Sequence, residues 1–362
     1  MAVPYALSDA RFTHRSAHRV YDICQKTLAI GVVFALMACA DLVSADAKHK
    51  NLTSTPTPTT DPTPAPTPIP VSGNPILGAA FWVDPTSNAQ ATANEWRVTR
   101  PDDAVQMDKI AEHSQAMWLK GGDADVRATV ANAVAAVAGT GATPVFVAYN
   151  IPQRDCGGLS AGGTTPAEYK SWISSVANGL GTSHSVVILE PDALSQLSCL
   201  SSADQTTRID LIYYAITVLK AKGATVYLDG GHSAWKSAST QAALLTRAGI
   251  TGADGFFLNV SNFQYTANSI NYGRAISTLV GGKHFVIDTS RNGQGPTADA
   301  QWCNPAGRGL GFAATTMTAD PLLDAYLWIK PPGESDGACN GDPVAGVWMP
   351  EYALGLAQRG VI

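Results

Sequence analysis

The sequence carries little charge, and the charge it has is nearly balanced. Only 15% of its residues are Asp, Glu, Lys or Arg, and 24 basic side chains stand against 29 acidic ones. Surfaces that bind nucleic acid concentrate Lys and Arg on one face, often with aromatic residues among them. The sequence has no such stripe. We therefore expect no nucleic-acid partner, and the composition favours an exported protein that meets an uncharged ligand.

The sequence also lacks the spacings of a metal site. None of its six cysteines lies in a Cys-x-x-Cys motif, and the histidines after residue 45 stand far apart. Structural and catalytic zinc sites need closely spaced Cys or His pairs. We therefore expect no metal ion and no other cofactor.

No hydrophobic run is long enough to span a membrane comfortably, since spanning takes about 20 apolar residues. Basic residues precede the apolar segment 28–40, which indicates an export signal over residues 1–45 with cleavage after Ala45. Leu36-Met-Ala-Cys39 also resembles a bacterial lipobox, which would make Cys39 a lipid anchor. A linker rich in Thr and Pro follows over residues 46–71. Residues 72–362 then form one folded domain, and we expect a secreted monomer with no transmembrane span in its mature form.

Short apolar runs that each end at a polar residue recur along this domain. A strand buried on both faces is apolar throughout, and barrels of parallel strands carry their chemistry just past the carboxyl ends of the strands. We count about seven such runs, at 76–82, 145–149, 187–189, 226–228, 256–258, 285–287 and 325–329. They predict an α/β fold, a distorted (β/α) barrel of about seven parallel strands with a cleft at their C-terminal face.

Helices are predicted between these runs. The alanine-rich stretches 104–119 and 124–138 have periodic apolar faces, and 204–222 is amphipathic. Thr165-Pro-Ala-Glu168 has the residues of a helix start. Trp96 and Trp118 are interpreted as packing residues.

The four cysteines of the domain indicate two disulfide bridges in an oxidising compartment. The sequence alone permits three pairings. We favour Cys156 with Cys199 and Cys303 with Cys339, because each pair flanks neighbouring strand ends and would fix a loop of the site.

Asp192 follows the run 187–189 and is our candidate general acid. Asp is also a preferred helix N-cap, and taken alone it would more often be one. Polar residues after the other runs favour the chemical interpretation, because all of these strand ends meet on one face of a barrel.

Other strand ends carry further candidates. Asp155 stands beside Arg154, which indicates either a functional carboxylate or an ion pair that fixes the loop. Lys330, Glu334 and Asp336 follow the last run, and an acid opposite Asp192 is what glycosidic chemistry needs. Polar groups bind sugar hydroxyls and tryptophan faces stack on sugar rings, so the substrate-binding candidates are Trp82, Asp229, His232, Trp235, Asn259 and Trp302.

At these residues the domain resembles glycoside hydrolase family 6, the inverting cellulases. The resemblance covers residues 72–362 and rests on ordered motifs, among them Ile151-Pro-Gln-Arg-Asp-Cys156, Ile188-Leu-Glu-Pro-Asp-Ala-Leu194, Tyr227-Leu-Asp-Gly-Gly-His232, Asn259-Val-Ser-Asn262, Trp302-Cys-Asn304 and Trp328-Ile-Lys-Pro-Pro-Gly-Glu-Ser-Asp336.

The resemblance implies a secreted endo-β-1,4-glucanase that hydrolyses internal bonds of cellulose with inversion. Asp192 would protonate the departing glycosidic oxygen. The negative charge of Asp155 would keep that proton on Asp192 by raising its pKa, and Tyr149 would press on the distorted sugar.

The resemblance also assigns roles on the other side of the cleft. Asp336 would act as the base through a chain of waters, and Lys330 and Glu334 would bind hydroxyls beside it. The segment 303–324 is short compared with the insertions that roof the cleft of chain-end enzymes, which favours an open cleft. The alternatives are a cellobiohydrolase, a retaining glycosidase, and a barrel that binds polysaccharide without cleaving it.

Overall fold

A computed structural model describes residues 73–122 and 124–362. The export signal, Cys39 and the linker, as predicted from the sequence, lie outside these residues. The strands of the described part are β1 (Ala80–Phe81), β2 (Met117–Lys120), β3 (Ala142–Thr143), β4 (Val145–Tyr149), β5 (Val186–Leu189), β6 (Thr225–Asp229), β7 (Gly255–Leu258), β8 (His284–Asp288) and β9 (Leu323–Leu327).

Helices connect these strands. The α-helices are α1 (Asn88–Thr99), α2 (Pro101–Ala111), α3 (Val126–Val137), α4 (Pro166–Leu180), α5 (Ser202–Lys220), α6 (Ala238–Arg247), α7 (Thr266–Leu279) and α8 (Pro350–Gln358). Short 3-10 helices span Asp155–Gly157, Leu197–Cys199 and Ile250–Gly252. No helix of the described residues combines the length and the apolar character needed to cross a bilayer.

Seven of the strands form one parallel sheet in the order β2-β4-β5-β6-β7-β8-β9. Successive residues of each central strand face opposite sides of the sheet. Val187 and Leu189 of β5 pack against the surrounding helices, whereas Val186 and Ile188 pack inside the curled sheet. Both faces are buried, which explains why these runs are apolar throughout and confirms the predicted barrel-like α/β fold.

The two edge strands of the barrel, β2 and β9, do not pair with each other. Two hydrogen bonds nevertheless join β2 to the segment that follows β9. The Ala116 N–H, directly before β2, donates to the Trp328 carbonyl at 2.9 Å, and the Trp118 indole Nε1 donates to the Ile329 carbonyl at 2.8 Å.

The first strand of the barrel differs from the prediction. The run 76–82 contributes only β1, which pairs with β3 in a separate two-stranded sheet. The barrel begins instead at β2, which we predicted as the end of a helix over 104–119, whereas α2 ends at Ala111. β2 is an edge strand and only Leu119 in it is fully buried. Its four residues therefore lack the continuous apolar signal, and pairing with β4 decides their conformation.

The start of α4 shows the predicted cap. Thr165 Oγ1 accepts the Glu168 N–H at 3.3 Å, and a Glu168 side-chain oxygen accepts the Thr165 N–H at 3.1 Å. This reciprocal capping box satisfies two N–H groups that the first turn of a helix otherwise leaves without partners. α4 in turn packs on α3 and α5 around the outer face of the sheet.

Thr165→Ala should lower the free energy of unfolding by about 1 kcal/mol, because the cap of α4 is lost. Urea denaturation measures the change. The control Ser171→Ala lies exposed in the same helix and should stay within about 0.5 kcal/mol of the wild type. Equal losses in both variants would show that the capping box adds no stability.

Candidate active site

The loops after the strands enclose a cleft of about 660 Å³. Most of the residues selected from the sequence line it, namely Tyr149, Asp155, Asp192, Asp229, His232, Trp235, Trp302, Lys330, Glu334 and Asp336. Among the described residues, no group of three or more His, Cys, Asp or Glu is arranged to hold a metal ion.

Buried carboxylates at strand ends hold the loops that form this cleft. Glu190, directly after β5, is fully buried and accepts the N–H groups of Asn150 and Ile151 at 3.0 to 3.1 Å. Those residues begin the loop after the neighbouring strand β4. Burial raises the pKa of Glu190 to about 7, although the N–H groups favour its ionised form.

Asp229, the last residue of β6, holds the loop after β5 in the same way. Its Oδ2 accepts the N–H groups of Leu194 and Ser195 at 3.1 and 2.8 Å, and its Oδ1 accepts the Gly231 N–H at 2.9 Å. Asp229 was expected to bind substrate. It lines the cleft and its two oxygens accept three backbone N–H groups, so it positions the loop that carries Asp192, while substrate contact stays a prediction.

Asp288, the last residue of β8, holds loops on both sides. It accepts the Ser261 N–H from the loop after β7 at 3.2 Å, and the Ile329 and Lys330 N–H groups after β9 at 3.3 and 3.0 Å. Three successive parts of the cleft wall are therefore fixed by carboxylates that face away from solvent.

Asp192 differs from these carboxylates because its side chain makes no hydrogen bond to another described residue. Burial raises the pKa of Asp192 well above its usual value, and the negative charges of Asp229 and Asp155 raise it further. Burial raises the pKa of Asp229 too, but its backbone N–H donors favour the ionised form, so the proton of this pair of acids belongs on Asp192. Asp192 is not a helix N-cap, since α5 begins later with Ser201 as its cap.

Asp155 faces Asp192 from the loop after β4. Its Oδ2 accepts the N–H and the hydroxyl of Ser160 at 2.8 and 3.0 Å, and its Oδ1 accepts Nε2 of Gln196 at 3.1 Å. The alternative of an Arg154–Asp155 ion pair is wrong. Arg154 donates instead to the carbonyls of Tyr149 and Ser160, at 2.6 and 2.9 Å.

Tyr149 lies beneath these groups. Its hydroxyl shares a hydrogen bond of 2.9 Å with the Ser160 hydroxyl, and the Arg154 guanidinium lies over its ring at 4.6 Å from the centroid. Burial raises the pKa of Tyr149, and the charge of Asp192 raises it further. The phenol is therefore neutral and serves as a hydroxyl at the wall of the cleft.

Two disulfides cross the loops of the site. Cys156 is bonded to Cys199, which joins the loop of Asp155 to the segment after Asp192. Cys303 is bonded to Cys339, which joins the loop of Trp302 to the loop of Asp336. These are the two pairings favoured from the sequence.

Asp336 is held across the cleft by a buried guanidinium. Arg291 donates from its two terminal nitrogens to the two carboxylate oxygens of Asp336, each at 2.9 Å, and the Asn304 N–H adds a bond of 3.0 Å. The Lys330 ammonium lies 3.8 Å from the same carboxylate, and burial lowers the pKa of Lys330. Arg291 was not among the predicted site residues, because its partner lies 45 positions further along the chain.

Glu334 and Lys120 add charge to the same side. Glu334 is half-buried, and burial raises its pKa. Lys120, at the end of β2, also lines the cleft and was missed together with its strand. Neither side chain bonds to another described residue, so both present charged groups to a ligand.

Aromatic side chains lie along the cleft. Trp235 and Trp302 are 38% and 50% exposed, so their faces are open to a ligand. The His232 ring packs against Trp235 with 5.3 Å between centroids. Trp118, which we interpreted as a packing residue, lines the cleft and meets Tyr149 edge-on at 5.1 Å.

Two of the expected substrate contacts lie elsewhere. Asn259 is fully buried, donates to the Asp288 carbonyl at 2.9 Å and accepts the Gln264 N–H at 3.0 Å. It therefore shapes a loop and lies outside the cleft lining, so substrate contact by Asn259 stays a prediction. Trp82 follows β1 and lies outside the cleft lining, so sugar stacking by Trp82 stays a prediction.

Comparisons with known proteins agree with this geometry. The family model for glycosyl hydrolases family 6 matches residues 76–360. Endoglucanase A of Cellulomonas fimi is 46% identical over 284 residues, which are 78% of this chain but only 61% of that protein. Cellobiohydrolase C of Emericella nidulans is 29% identical over 368 residues, covering 80% of this chain and 78% of that protein.

A solved structure extends the comparison to three dimensions. The endoglucanase Cel6 of Mycobacterium tuberculosis, in complex with methyl-cellobiosyl-4-deoxy-4-thio-β-D-cellobioside, superposes with a TM-score of 0.76 at 47% identity. The match covers 79% of this chain and 99% of that one.

Burial lowers the pKa of His232 to about 4, and its Nδ1 has no hydrogen-bond partner among the described residues. As the pH falls from the ordinary value of 6.5 towards 4, the unfolded chain takes up a proton here before the folded chain does. His232 should therefore reduce the free energy of unfolding across that window, and His232→Gln should remove this contribution. Urea unfolding at several pH values and the NMR titration of the His232 ring measure both effects. A titration midpoint near 6.5 would contradict the assignment.

Proposed function

Because this chain belongs to glycosyl hydrolases family 6, we propose that it is a secreted endo-β-1,4-glucanase that hydrolyses internal bonds of cellulose with inversion. The observation that carries the proposal is the Asp192 carboxyl, which faces the cleft without a protein hydrogen bond beside two other carboxylates. A general acid must hold its proton at the working pH and must be free to give it to substrate.

In the proposed reaction Asp192 gives its proton to the glycosidic oxygen as the bond to the anomeric carbon breaks. The charge of Asp155 raises the pKa of Asp192, which favours the return of a proton to Asp192 for the next turnover. Tyr149 lies between these two loops and would contact the sugar ring at the cleavage point.

A water attacks the anomeric carbon from the opposite face and loses its proton towards Asp336. Inverting enzymes leave room for this water by separating the two carboxyl groups by about 6.5 to 9.5 Å. Arg291 occupies both oxygens of Asp336. A water chain therefore suits the proton transfer better than direct contact. Lys330 and Glu334 would bind hydroxyls next to this path.

Attack on internal bonds is supported by the exposure of the aromatic side chains. A cleft roofed by long loops, as chain-end action requires, would bury the faces of Trp235 and Trp302, which are instead 38% and 50% exposed. A polymer can therefore enter along its length. Stacking of sugar rings on these faces would bind an uncharged polymer without charged contacts.

Export is supported by the two disulfides, since such bonds persist in oxidising compartments. We assign residues 1–45 to an export signal, with Cys39 as a possible lipid site, and 46–71 to a linker. Residues 72–362 are the catalytic domain, which we expect to act as a monomer on β-1,4-glucan.

Asp192→Asn should reduce cleavage of soluble carboxymethyl-cellulose by about 10²- to 10⁴-fold, because the amide cannot act as an acid. Cleavage of 2,4-dinitrophenyl β-cellobioside should fall far less, because dinitrophenolate departs without a proton. Viscosity and reducing ends measure the cleavage of carboxymethyl-cellulose, and dye release measures the cleavage of the dinitrophenyl glycoside. In the wild type, a steep fall in viscosity per bond cut is expected. Reducing ends without that fall would indicate a cellobiohydrolase, and no cleavage of any β-glucan would leave a polysaccharide-binding protein.

Asp155→Asn should move the basic limb of the kcat–pH profile to lower pH. Asp192 must be protonated to act, and removing a neighbouring negative charge lowers the pKa of Asp192. Activity is then lost at a lower pH than in the wild type. The control Asp210→Asn removes an equal charge from an exposed site on α5 and should leave the limb in place. An unmoved limb in Asp155→Asn would exclude this role of Asp155.

A further inference from the structure

Arg208, near the start of α5, joins the two loops that carry Asp155 and Asp192. Its guanidinium donates to the Pro152 and Gln153 carbonyls at 2.7 and 2.8 Å and to the Ala193 carbonyl at 3.3 Å. Gln153 lies two residues before Asp155, and Ala193 directly follows Asp192. One side chain, only 3% exposed, therefore bonds the backbone of both loops next to their carboxylates.

Glu190 holds the same loop through its N–H groups, and we call Glu190 and Arg208 together the clamp. It accepts the N–H groups of residues 150 and 151, and Arg208 donates to the carbonyls of residues 152 and 153. Four successive residues of the Asp155 loop, 150 to 153, are thereby each held through one backbone group by a buried carboxyl group or a buried guanidinium. Burial of such groups is costly unless they are well bonded. Their presence beneath this loop indicates a need for a fixed backbone.

The backbone at both carboxylates is strained. Asp155 and Asp192 have φ values of +54° and +69°, in the left-handed region that L residues avoid. Such conformations persist only where the surroundings determine them strongly. The Cys156–Cys199 disulfide and the bond from Gln196 Nε2 to Asp155 tie the same two loops from the cleft side. Arg208 ties them from the core side.

We infer that Arg208 is a positioning residue that holds the Asp155 loop against the Asp192 loop and so fixes the separation of the two carboxylates. The inference rests on the proposed function, because this separation matters to a reaction only if Asp192 delivers a proton. Arg208 itself is buried behind the loops and does not line the cleft.

The separation has a measurable effect because the repulsion between two carboxylates falls as they move apart. The charged and titratable groups that face Asp192 are Asp229 on β6, Asp155 on its loop and Tyr149 on β4. Asp229 bonds the Asp192 loop directly through Leu194 and Ser195, so its distance to Asp192 does not depend on Arg208. Loosening the clamp therefore weakens the effect of Asp155.

The charged and titratable groups around Arg208 itself are Glu190, Asp204, Asp229 and Tyr149. Arg208→Gln keeps two hydrogen-bonding groups but removes the cation and its three-carbonyl reach. Arg208→Lys keeps the cation, but a single ammonium group cannot bond the carbonyls of both loops at once as the planar guanidinium does. The two variants therefore separate the loss of charge from the loss of the link.

The experiment compares kcat–pH profiles on cellotetraose for the wild type, Arg208→Gln and Arg208→Lys. In Arg208→Gln the basic limb should shift to lower pH by about one pH unit, which is a tenfold loss of kcat at a given pH on that limb. The limb of Arg208→Lys should move in the same direction, because this variant also loses the link between the two loops. Cleavage of 2,4-dinitrophenyl β-cellobioside, which needs no acid, should change little in either variant.

A matched control separates positioning from stability. Tyr227→Phe removes a buried hydrogen bond of 2.7 Å to Asp324, inside the barrel and outside the cleft lining. It should lower Tm without moving the limb. If Arg208→Gln lowers Tm as the control does and leaves the limb in place, Arg208 is merely structural and the inference is overturned.

The remaining outcomes are also decisive. If Arg208→Gln does not fold, Arg208→Lys and Gln196→Leu take its place, since each weakens one tie between the loops. Limbs that stay at the wild-type position in both variants would overturn the inference. A wild type that does not cleave cellotetraose would overturn the proposed function together with the inference, whereas an active wild type with unmoved variants overturns the inference alone.

Discussion

The cleft of this protein depends on buried carboxylates that end the strands of its barrel. Glu190, Asp229 and Asp288 each accept backbone N–H groups from the loop that follows a neighbouring strand. A buried carboxylate without such donors would cost several kcal/mol. Each of these acids therefore forces the adjacent loop into one conformation. The regular spacing of the strands thereby determines the positions of the irregular loops that carry the functional groups.

This arrangement also decides where protons and charges lie. On one side, backbone donors keep Asp229 anionic and leave the nearby Asp192 as the protonated acid. On the other side, Arg291 compensates the charge of Asp336 by two parallel hydrogen bonds. One wall of the cleft thus favours the protonated form of the Asp192 carboxyl group, and the other wall pairs the Asp336 carboxyl group with a guanidinium. A reaction that needs a carboxyl group on each face of a sugar finds one on each wall.

The sequence predicted the parts of this fold whose signal is local. The runs in β4 to β8 are apolar because both faces of these strands are buried, and the polar residues that follow these runs begin the loops that form the cleft. β2 escaped prediction because a four-residue edge strand, in which only Leu119 is fully buried, resembles the end of a helix. Arg208 and Arg291 escaped because their bonds join distant positions. The burial of Asn259 was not predicted, because a buried amide and a sugar-binding amide have the same sequence signature.

The left-handed backbone at Asp192 and Asp155 has a consequence for how such a cleft can evolve. Among residues other than glycine, Asp and Asn accept this conformation most readily, because a short polar side chain can bond locally. An Asp to Asn change at either position therefore leaves the loops and the aromatic faces as they are, while in the proposed reaction it removes the acid or its charged neighbour. A single Asp to Asn substitution therefore separates a domain of this design that cleaves a polysaccharide from one that only binds it.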